Sequence, residues 1–292
     1  MKFKNYVFTF LFSSLLVLSG CVKNNPDPSW ILVNQWSLQS NINLSGAEGE
    51  LTQNFSDAWV YVNDECMGVF ELPVKIPVLK SGSVNIKVYP AVKINGISAT
   101  KTIYPFCSVF SMNATLVQNE TLTVSPTTHY VDNAQFIIED FEGANIKLEN
   151  DPNTSSANFT LDNVDLQSFN GNAYARVGLN STDSNWVAYT TFNSFLPKGK
   201  EVYLEIDYYN TISVTTGLIA IAPSGIVRNV NIQLNKQDPS KVKWKKMYIN
   251  LRELIGASDV NAYFDHSFEA WLTTGAPATE IRMDNIKVVY FQ

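Results

Sequence analysis

From Trp30 to the end of the chain, short apolar runs alternate with polar residues, and no long stretch repeats with a helical period. The runs at 58–62, 84–89 and 120–124 show apolar side chains at alternating positions. This spacing is typical of half-buried β-strands, whose successive side chains point to opposite faces. Clusters of Gly, Pro, Asn, Asp and Ser separate the runs, as turns require. The pattern therefore predicts an all-β chain built of sandwiches.

The strand pattern divides at the turn-forming cluster 125–129. For residues 30–130 we predict an N-terminal immunoglobulin-like β-sandwich. Within it, the segment 57–89 resembles small β-sandwich modules with glycine turns at Gly68 and Gly82. Residues 131–292 predict nine strands and one short helical turn at 251–258, which fit a C-terminal jelly-roll β-sandwich. The nine predicted strands cover 136–141, 174–178, 186–190, 202–209, 217–222, 228–234, 246–251, 267–272 and 281–290.

The first 20 residues have the layout of an export signal. Lys2 and Lys4 precede an apolar stretch at 6–18, which is followed by Ser19 and Gly20. The apolar stretch is too short for a permanent transmembrane helix, which needs about 20 residues. We therefore expect residues 1–20 to be a signal peptide that is removed on export.

The segment Leu18-Ser19-Gly20-Cys21 resembles the lipobox of bacterial lipoproteins, including those of Bacteroidetes. The resemblance implies that Cys21 carries the lipid and that residues 21–29, polar and proline-bearing, form a lipidated tether. The chain would then be anchored to a membrane. Because residue 22 is Val and not Asp, the resemblance favours the outer membrane, on its periplasmic or cell-surface side. The alternative is an ordinary secretory peptide with a chance cysteine.

Charge and cysteine content narrow the function classes. The formal net charge is −6, so nucleic acid is an unfavourable partner, because binding phosphates requires a basic face. Besides Cys21, the chain has Cys66 and Cys107. In an exported protein these two could form a disulfide, or they could be free thiols, since the sequence gives no distance between them.

Three segments of the second part resemble galactose-binding-like jelly rolls, including many carbohydrate-binding modules: 138–143, 244–251 and 281–288. The resemblance implies a structural calcium ion between the first and last strands. By analogy its carboxylate ligands are Asp140, Glu142 and Asp284, because calcium prefers oxygen ligands. The alternative is that these residues cap strand ends or pair with basic side chains.

A sugar site requires aromatic faces for stacking and a few polar groups for hydroxyls. The ligand-binding candidates in the second part are Trp186, Tyr189, Tyr208, Tyr209, Trp271 and Arg228. Strand aromatics more often belong to the core than to a binding platform. Tyr208 and Tyr209 are adjacent, so they must point to opposite faces of their strand.

Catalytic signals are few. The chain has two histidines and none of the common zinc, nucleotide-loop or serine-hydrolase motifs. Two acids could still cleave a glycoside, and the available carboxylates are Glu139, Asp140, Glu142, Glu205, Asp207, Asp265 and Glu269. The sequence thus predicts a lipid-anchored cell-envelope protein that recognises glycan without catalysis. The alternatives are a glycan-degrading hydrolase and a surface adhesion or assembly protein that binds another protein.

Overall fold

A computed structural model describes residues 27–163 and 171–292. Strands are the main secondary structure of these residues, which otherwise contain one short α-helix, one 3-10 turn and loops, and this confirms the all-β fold class. The predicted signal peptide and Cys21 lie outside the described residues. Within the described ranges, no helix is long and apolar enough to cross a membrane.

Residues 29–130 form a sandwich of a three-stranded and a five-stranded sheet, with a small two-stranded sheet beside them. Its strands are β1 (Ser29–Val33), β2 (Ser37–Leu38), β3 (Asp57–Val62), β4 (Glu65–Glu71), β5 (Val74–Val78), β6 (Gly82–Lys93), β7 (Lys101–Ile103), β8 (Phe110–Leu116), β9 (Thr121–Val124) and β10 (Thr127–Thr128), and the 3-10 turn spans Ile42–Leu44. The sheet orders are β5-β1-β9, β10-β2, and β4-β3-β6-β7 with β8 on β6. We call this unit the N-terminal sandwich; its immunoglobulin-like affiliation stays a prediction.

Residues 134–163 and 171–291 form a second sandwich, the C-terminal sandwich. Its elements are β11 (Ala134–Glu139), β12 (Leu148–Asn150), β13 (Thr160–Asp162), β14 (Tyr174–Leu179), β15 (Asn185–Thr190), β16 (Val202–Asn210), β17 (Val214–Ala222), β18 (Gly225–Leu234), β19 (Lys245–Asn250), α1 (Arg252–Ala257), β20 (Tyr263–Trp271) and β21 (Thr279–Phe291). All nine strands predicted for this part are present. Among the strands of the described residues, the sequence pattern missed β12 and β13, because three residues are too few to show an alternation.

The C-terminal sandwich has two antiparallel sheets with a shared apolar core. The first, which we call the covered sheet, has the order β13-β14-β21-β16-β19, with β11 also on β21. The second, the open sheet, has the order β12-β15-β20-β17-β18. Inward-pointing side chains such as Trp186, Leu204, Leu218 and Phe268 fill the space between them. Alternation along each strand leaves the other set of side chains on the outer faces.

The N-terminal sandwich packs on the outer face of the covered sheet. Tyr203, Tyr248 and Val289 of the covered sheet belong to the same buried apolar cluster as the N-terminal core. As a result, β16 is buried on both faces: Leu204 points into the C-terminal core, while Glu205 lies beneath the N-terminal sandwich. A strand whose sequence alternates apolar and polar residues is therefore almost entirely removed from solvent.

Glu205 is held by donors from both sandwiches. Tyr104 and Tyr130 of the N-terminal sandwich donate their hydroxyls to its carboxylate, the latter at 3.0 Å from each oxygen. Lys246 Nζ of β19 lies 3.1 Å from Glu205 Oε2. Burial raises the pKa of Glu205, but Lys246 and Lys287 outweigh it and leave this pKa below its ordinary value. Glu205 is thus an ionised group stabilised by hydrogen bonds and by cations.

Asp207 completes this buried group of charges. Its Oδ1 lies 3.5 Å from Lys246 Nζ, and Thr52 of the N-terminal sandwich donates to its Oδ2 at 2.6 Å. Burial raises the pKa of Asp207 and lowers that of Lys287 to about 8. We call Glu205, Asp207, Lys246 and Lys287 the junction cluster. Because no ligand could reach these side chains, Glu205 and Asp207 are excluded as a catalytic pair.

No disulfide joins Cys66 to Cys107. Cys66 is exposed on β4, whereas Cys107 is buried in the N-terminal core, and both thiols are free. Of the two possibilities that the sequence left open, the structure has free thiols. Burial raises the pKa of Cys107 well above its ordinary value, so this thiol stays protonated.

Candidate functional site

The outer face of the open sheet is the side turned away from the C-terminal core. We call it the open face. The strand pairings place residues of four neighbouring strands on it. They are Tyr189 of β15; Asp265, Ser267, Glu269 and Trp271 of β20; Thr215, Gly217 and Ile219 of β17; and Arg228 of β18. This mixture of aromatic, charged and small side chains distinguishes the open face from the apolar interior of the sheet.

Small residues form the middle of the open face. Gly217 faces Ser267 across β17 and β20. A Cβ at Gly217 would collide with Ser267 Oγ and lie 3.0 Å from the backbone oxygen of Asn229. Two depressions lie on this face, one lined by Trp271 and the other by Arg228.

The larger depression is a groove of about 1100 Å³. Trp271, with 58% of its surface exposed, forms one side of it. Glu269, Thr215 and Gln233 line the groove from three adjacent strands of the open sheet, and Tyr209 reaches it from the covered sheet. An exposed indole beside hydrogen-bonding groups can stack on an apolar ring face and hold its polar substituents.

The smaller depression is a pocket of about 330 Å³. Tyr189, Ile219 and Arg228 line it together with two carboxylates. Arg228 Nη1 lies 3.6 Å from Asp151 Oδ2, and Asp265 Oδ1 accepts from the backbone N–H of Asn193 at 2.8 Å. Burial raises the pKa of Asp265 above its ordinary value. The pocket thus offers a tyrosine ring, a guanidinium and carboxylates that local donors already hold.

For two residues, Trp186 and Tyr208, the prediction of ligand binding is wrong, because the structure places their side chains in the core. Trp186 is fully buried, stacks near Phe268 and donates its indole N–H to Asn150 Oδ1 at 3.0 Å. Tyr208 is also buried in the C-terminal core. Neither side chain can meet a ligand. Their inward direction follows from the strand alternation once the position of the core is known.

The other four predicted ligand residues lie at the surface, but not all at one point. Tyr189 and Arg228 line the pocket, while Trp271 and Tyr209 line the groove. Tyr209 packs against Arg282, whose guanidinium carbon is 4.6 Å from the ring centre. The ligand-binding residues predicted from the sequence therefore belong to two different depressions.

The predicted calcium ligands fit a metal only in part. Asp284 Oδ2 and both amide atoms of the neighbouring Asn285 are buried without hydrogen-bond partners, and burial raises the pKa of Asp284 to about 8. Glu142, however, accepts from the backbone N–H groups of Asn172 and Ala173. Across the described residues, no three Asp, Glu, His or Cys side chains are grouped so as to hold a metal ion.

The two predicted carboxylates on the open face, Asp265 and Glu269, are too far apart to form a catalytic pair. Asp265 and Glu269 are four residues apart on β20, which places their backbones about 14 Å apart. Glycosidases require two carboxyl groups about 5 to 9.5 Å apart. Glu139 is buried and accepts from the backbone N–H groups of Phe141 and Lys147, so it serves the turn after β11.

Sequence reasoning missed Asp151, Thr215 and Gln233 as members of the two depressions. The sequence could have indicated Thr215, because it alternates in step with Gly217 and Ile219, which lie on the same face of β17. Asp151 follows the very short β12, and Gln233 lies beyond a bulge between β17 and β18. A bulge shifts the alternation by one residue, so periodicity alone assigns the wrong face.

No protein-family model matches the sequence. No curated protein matches it significantly either.

Several solved structures have a similar arrangement at low sequence identity. One contains the carbohydrate-binding and catalytic modules of a Clostridium thermocellum endo-xylanase in complex with xylohexaose; the TM-score is 0.38 at 12% identity, over 53% of this chain and 28% of that chain. A carbohydrate-binding module of the β-sandwich superfamily has a TM-score of 0.37 at 12% identity, over 79% of this chain and 83% of that chain. The tailspike protein 4 of bacteriophage CBA120 has a TM-score of 0.34 at 11% identity, over 53% of this chain and 19% of that chain. At such low scores these likenesses do not determine a ligand.

Proposed function

We propose that this chain binds a glycan on the open face without cleaving it. The observation that carries the proposal is Trp271, an exposed indole at the side of a groove that also presents carboxylate, hydroxyl and amide groups. A large aromatic side chain that is left exposed beside convergent polar groups is characteristic of a recognition surface. The opposite sheet cannot serve this purpose over the area that the N-terminal sandwich covers.

The test is a comparison of two exposed aromatic residues. Trp271→Ala should lower the affinity for the best-binding polysaccharide of a glycan array at least about tenfold, which corresponds to about 1.4 kcal/mol. Phe195→Ala is the matched control, because Phe195 is equally exposed but does not line the groove. An affinity that is unchanged in Trp271→Ala would contradict the proposal, and so would a wild-type protein that binds no glycan on the array.

We also propose that the chain is anchored through a lipid on Cys21 in the outer membrane. Support comes from the lipobox-like segment that ends at Cys21 and from the apolar run before it. Mass spectrometry of the mature N-terminal peptide should show a diacylated cysteine. Cys21→Ser should release the protein from the membrane fraction, and an unmodified Cys21 in the mature protein would refute the anchor.

A structural calcium ion is a further proposal. Asp284 and Asn285 would supply buried oxygens, and a rotated Glu142 could add a carboxylate. Calcium would contribute folding stability without taking part in ligand chemistry. Titration of the chelator-treated protein with CaCl₂ should raise the thermal midpoint of the wild type but not that of Asp284→Ala; an unchanged wild-type midpoint would rule out the ion.

One observation favours a different function, which is binding of another protein during surface assembly. β18 is an edge strand of the open sheet, and Ile226, Val227 and Val230 on it are each more than half exposed. Exposed apolar edge strands can pair with a strand of a partner. Under this alternative, Val230→Lys would abolish partner capture, while Trp271→Ala would have no effect.

A further inference from the structure

Glu269 occupies a particular place in the groove. It lies two residues before Trp271 on β20, so both side chains point from the same face and their backbones are about 7 Å apart. Across the sheet, Glu269 is opposite Val187 of β15 on one side and Thr215 of β17 on the other. Neither neighbour is a cation, and Lys236, which also lines the groove, forms no ion pair with Glu269. A ring stacked on the Trp271 indole would therefore have the Glu269 carboxylate beside it.

Glu269 differs from the other two carboxylates that line the groove. Glu280 forms ion pairs with Arg176 at 2.6 Å and Arg282 at 2.9 Å. Asp238 accepts from both the backbone N–H and the hydroxyl of Ser240, at 2.9 and 2.8 Å. Glu269, by contrast, has neither an ion pair nor a side-chain hydrogen bond to any described residue. Its carboxylate is thus ready to accept hydrogen bonds from a ligand.

The chemistry of a free carboxylate selects among ligands. An ionised carboxylate accepts hydrogen bonds only, and its two oxygens suit two neighbouring hydroxyl groups of a sugar. The same charge repels a uronate or sulfate group that comes close in a partly buried groove. We infer that Glu269 determines specificity in this groove, so that it admits neutral glycans and rejects acidic ones. This inference rests on the proposed glycan-binding function.

The experiment measures the ratio of two affinities with defined probes. Xylohexaose and mannohexaose serve as neutral ligands and hexagalacturonate as the acidic one. The wild type should bind the better neutral probe at least about tenfold more tightly than hexagalacturonate, and Glu269→Gln should reduce this ratio by about tenfold, as expected for one lost charge–charge repulsion. Glu120→Gln changes the net charge equally but lies on the N-terminal sandwich, so its ratio should equal that of the wild type.

The possible results separate this inference from the proposed function. If Trp271→Ala abolishes binding but Glu269→Gln leaves the ratio unchanged, the groove binds glycan and the role of Glu269 is refuted. A ratio that shifts equally in Glu120→Gln would show an effect of net charge and would also refute it. If the wild type binds none of the probes or only the acidic one, selection of neutral glycans fails, and in the first case the glycan-binding function fails for these ligands as well. A circular dichroism spectrum and thermal midpoint unchanged in Glu269→Gln would show that the variant is folded.

Discussion

At the scale of single residues, burial decides which polar side chains can act. Glu269 and Glu205 both occupy outward positions of strands with alternating sequences, yet one borders an open groove and the other lies beneath a second sandwich. His266 is a third case. It points into the C-terminal core, is fully buried, and neither ring nitrogen has a hydrogen-bond partner among the described residues. Burial lowers its pKa to about 3 from the ordinary value of 6.5.

His266 should make folding stability depend on pH. The folded state keeps this ring neutral down to about pH 3, whereas the unfolded chain takes up the proton below pH 6.5. Stability is therefore complete above pH 6.5 and falls as the pH decreases, by about 2 kcal/mol between pH 7 and pH 5 from this residue alone. Urea unfolding of the wild type and of His266→Met, at both pH values, measures the difference.

The control for this prediction is His129→Gln, since His129 is the other histidine and is exposed. The stability difference between pH 7 and pH 5 should shrink in His266→Met and stay at the wild-type value in His129→Gln. Equal pH dependence in all three proteins would show that His266 is protonated without cost in the folded state.

At the scale of strands and sheets, close approach shapes the open face. Gly217 allows β17 to lie against Ser267 of β20 and the backbone of Asn229 of β18. A side chain at this position would crowd both of these contacts. The sequence around Gly217 is strand-like, so only the packing of neighbouring strands reveals why glycine stands there.

Gly217→Ala should destabilise the C-terminal sandwich by about 1–3 kcal/mol, because the added methyl group overpacks a tight contact. Gly178→Ala is the matched control: Gly178 is also a strand glycine, but a Cβ there would meet nothing within 4 Å. Its free energy of unfolding should change by less than about 0.5 kcal/mol. Denaturant unfolding monitored by tryptophan fluorescence provides both values, and equal values would mean that the Ser267 side chain moves away freely.

At the scale of the whole molecule, the junction cluster binds the two sandwiches to each other. Tyr104, Tyr130 and Thr52 of one sandwich satisfy Glu205 and Asp207 of the other. Separating the sandwiches would leave these groups without their hydrogen-bond partners. The N-terminal sandwich therefore contributes to the stability of the C-terminal sandwich. Because it covers the opposite sheet, it leaves the open face as the accessible sheet face.

Lys246→Met tests this dependence. It removes the cation that contacts both buried carboxylates and leaves Lys287 as the only other cation of the junction cluster, so it should lower the free energy of unfolding by about 3–5 kcal/mol. Lys245→Met is the matched control, because the adjacent Lys245 is exposed. Calorimetry should show a single cooperative transition in the wild type. Two well-separated transitions in the wild type, or an equal loss in both variants, would contradict a shared junction.

The sequence by itself determined the strands and their two faces, because an alternation of apolar and polar residues is a local property. It located nine strands of the C-terminal sandwich and placed Trp271 and Tyr189 among the ligand-binding candidates. It could not show that both faces of β16 are buried, because that requires knowing that a second sandwich covers Glu205. Only the tertiary structure decided which outward face meets solvent, since burial depends on contacts between residues far apart in the chain.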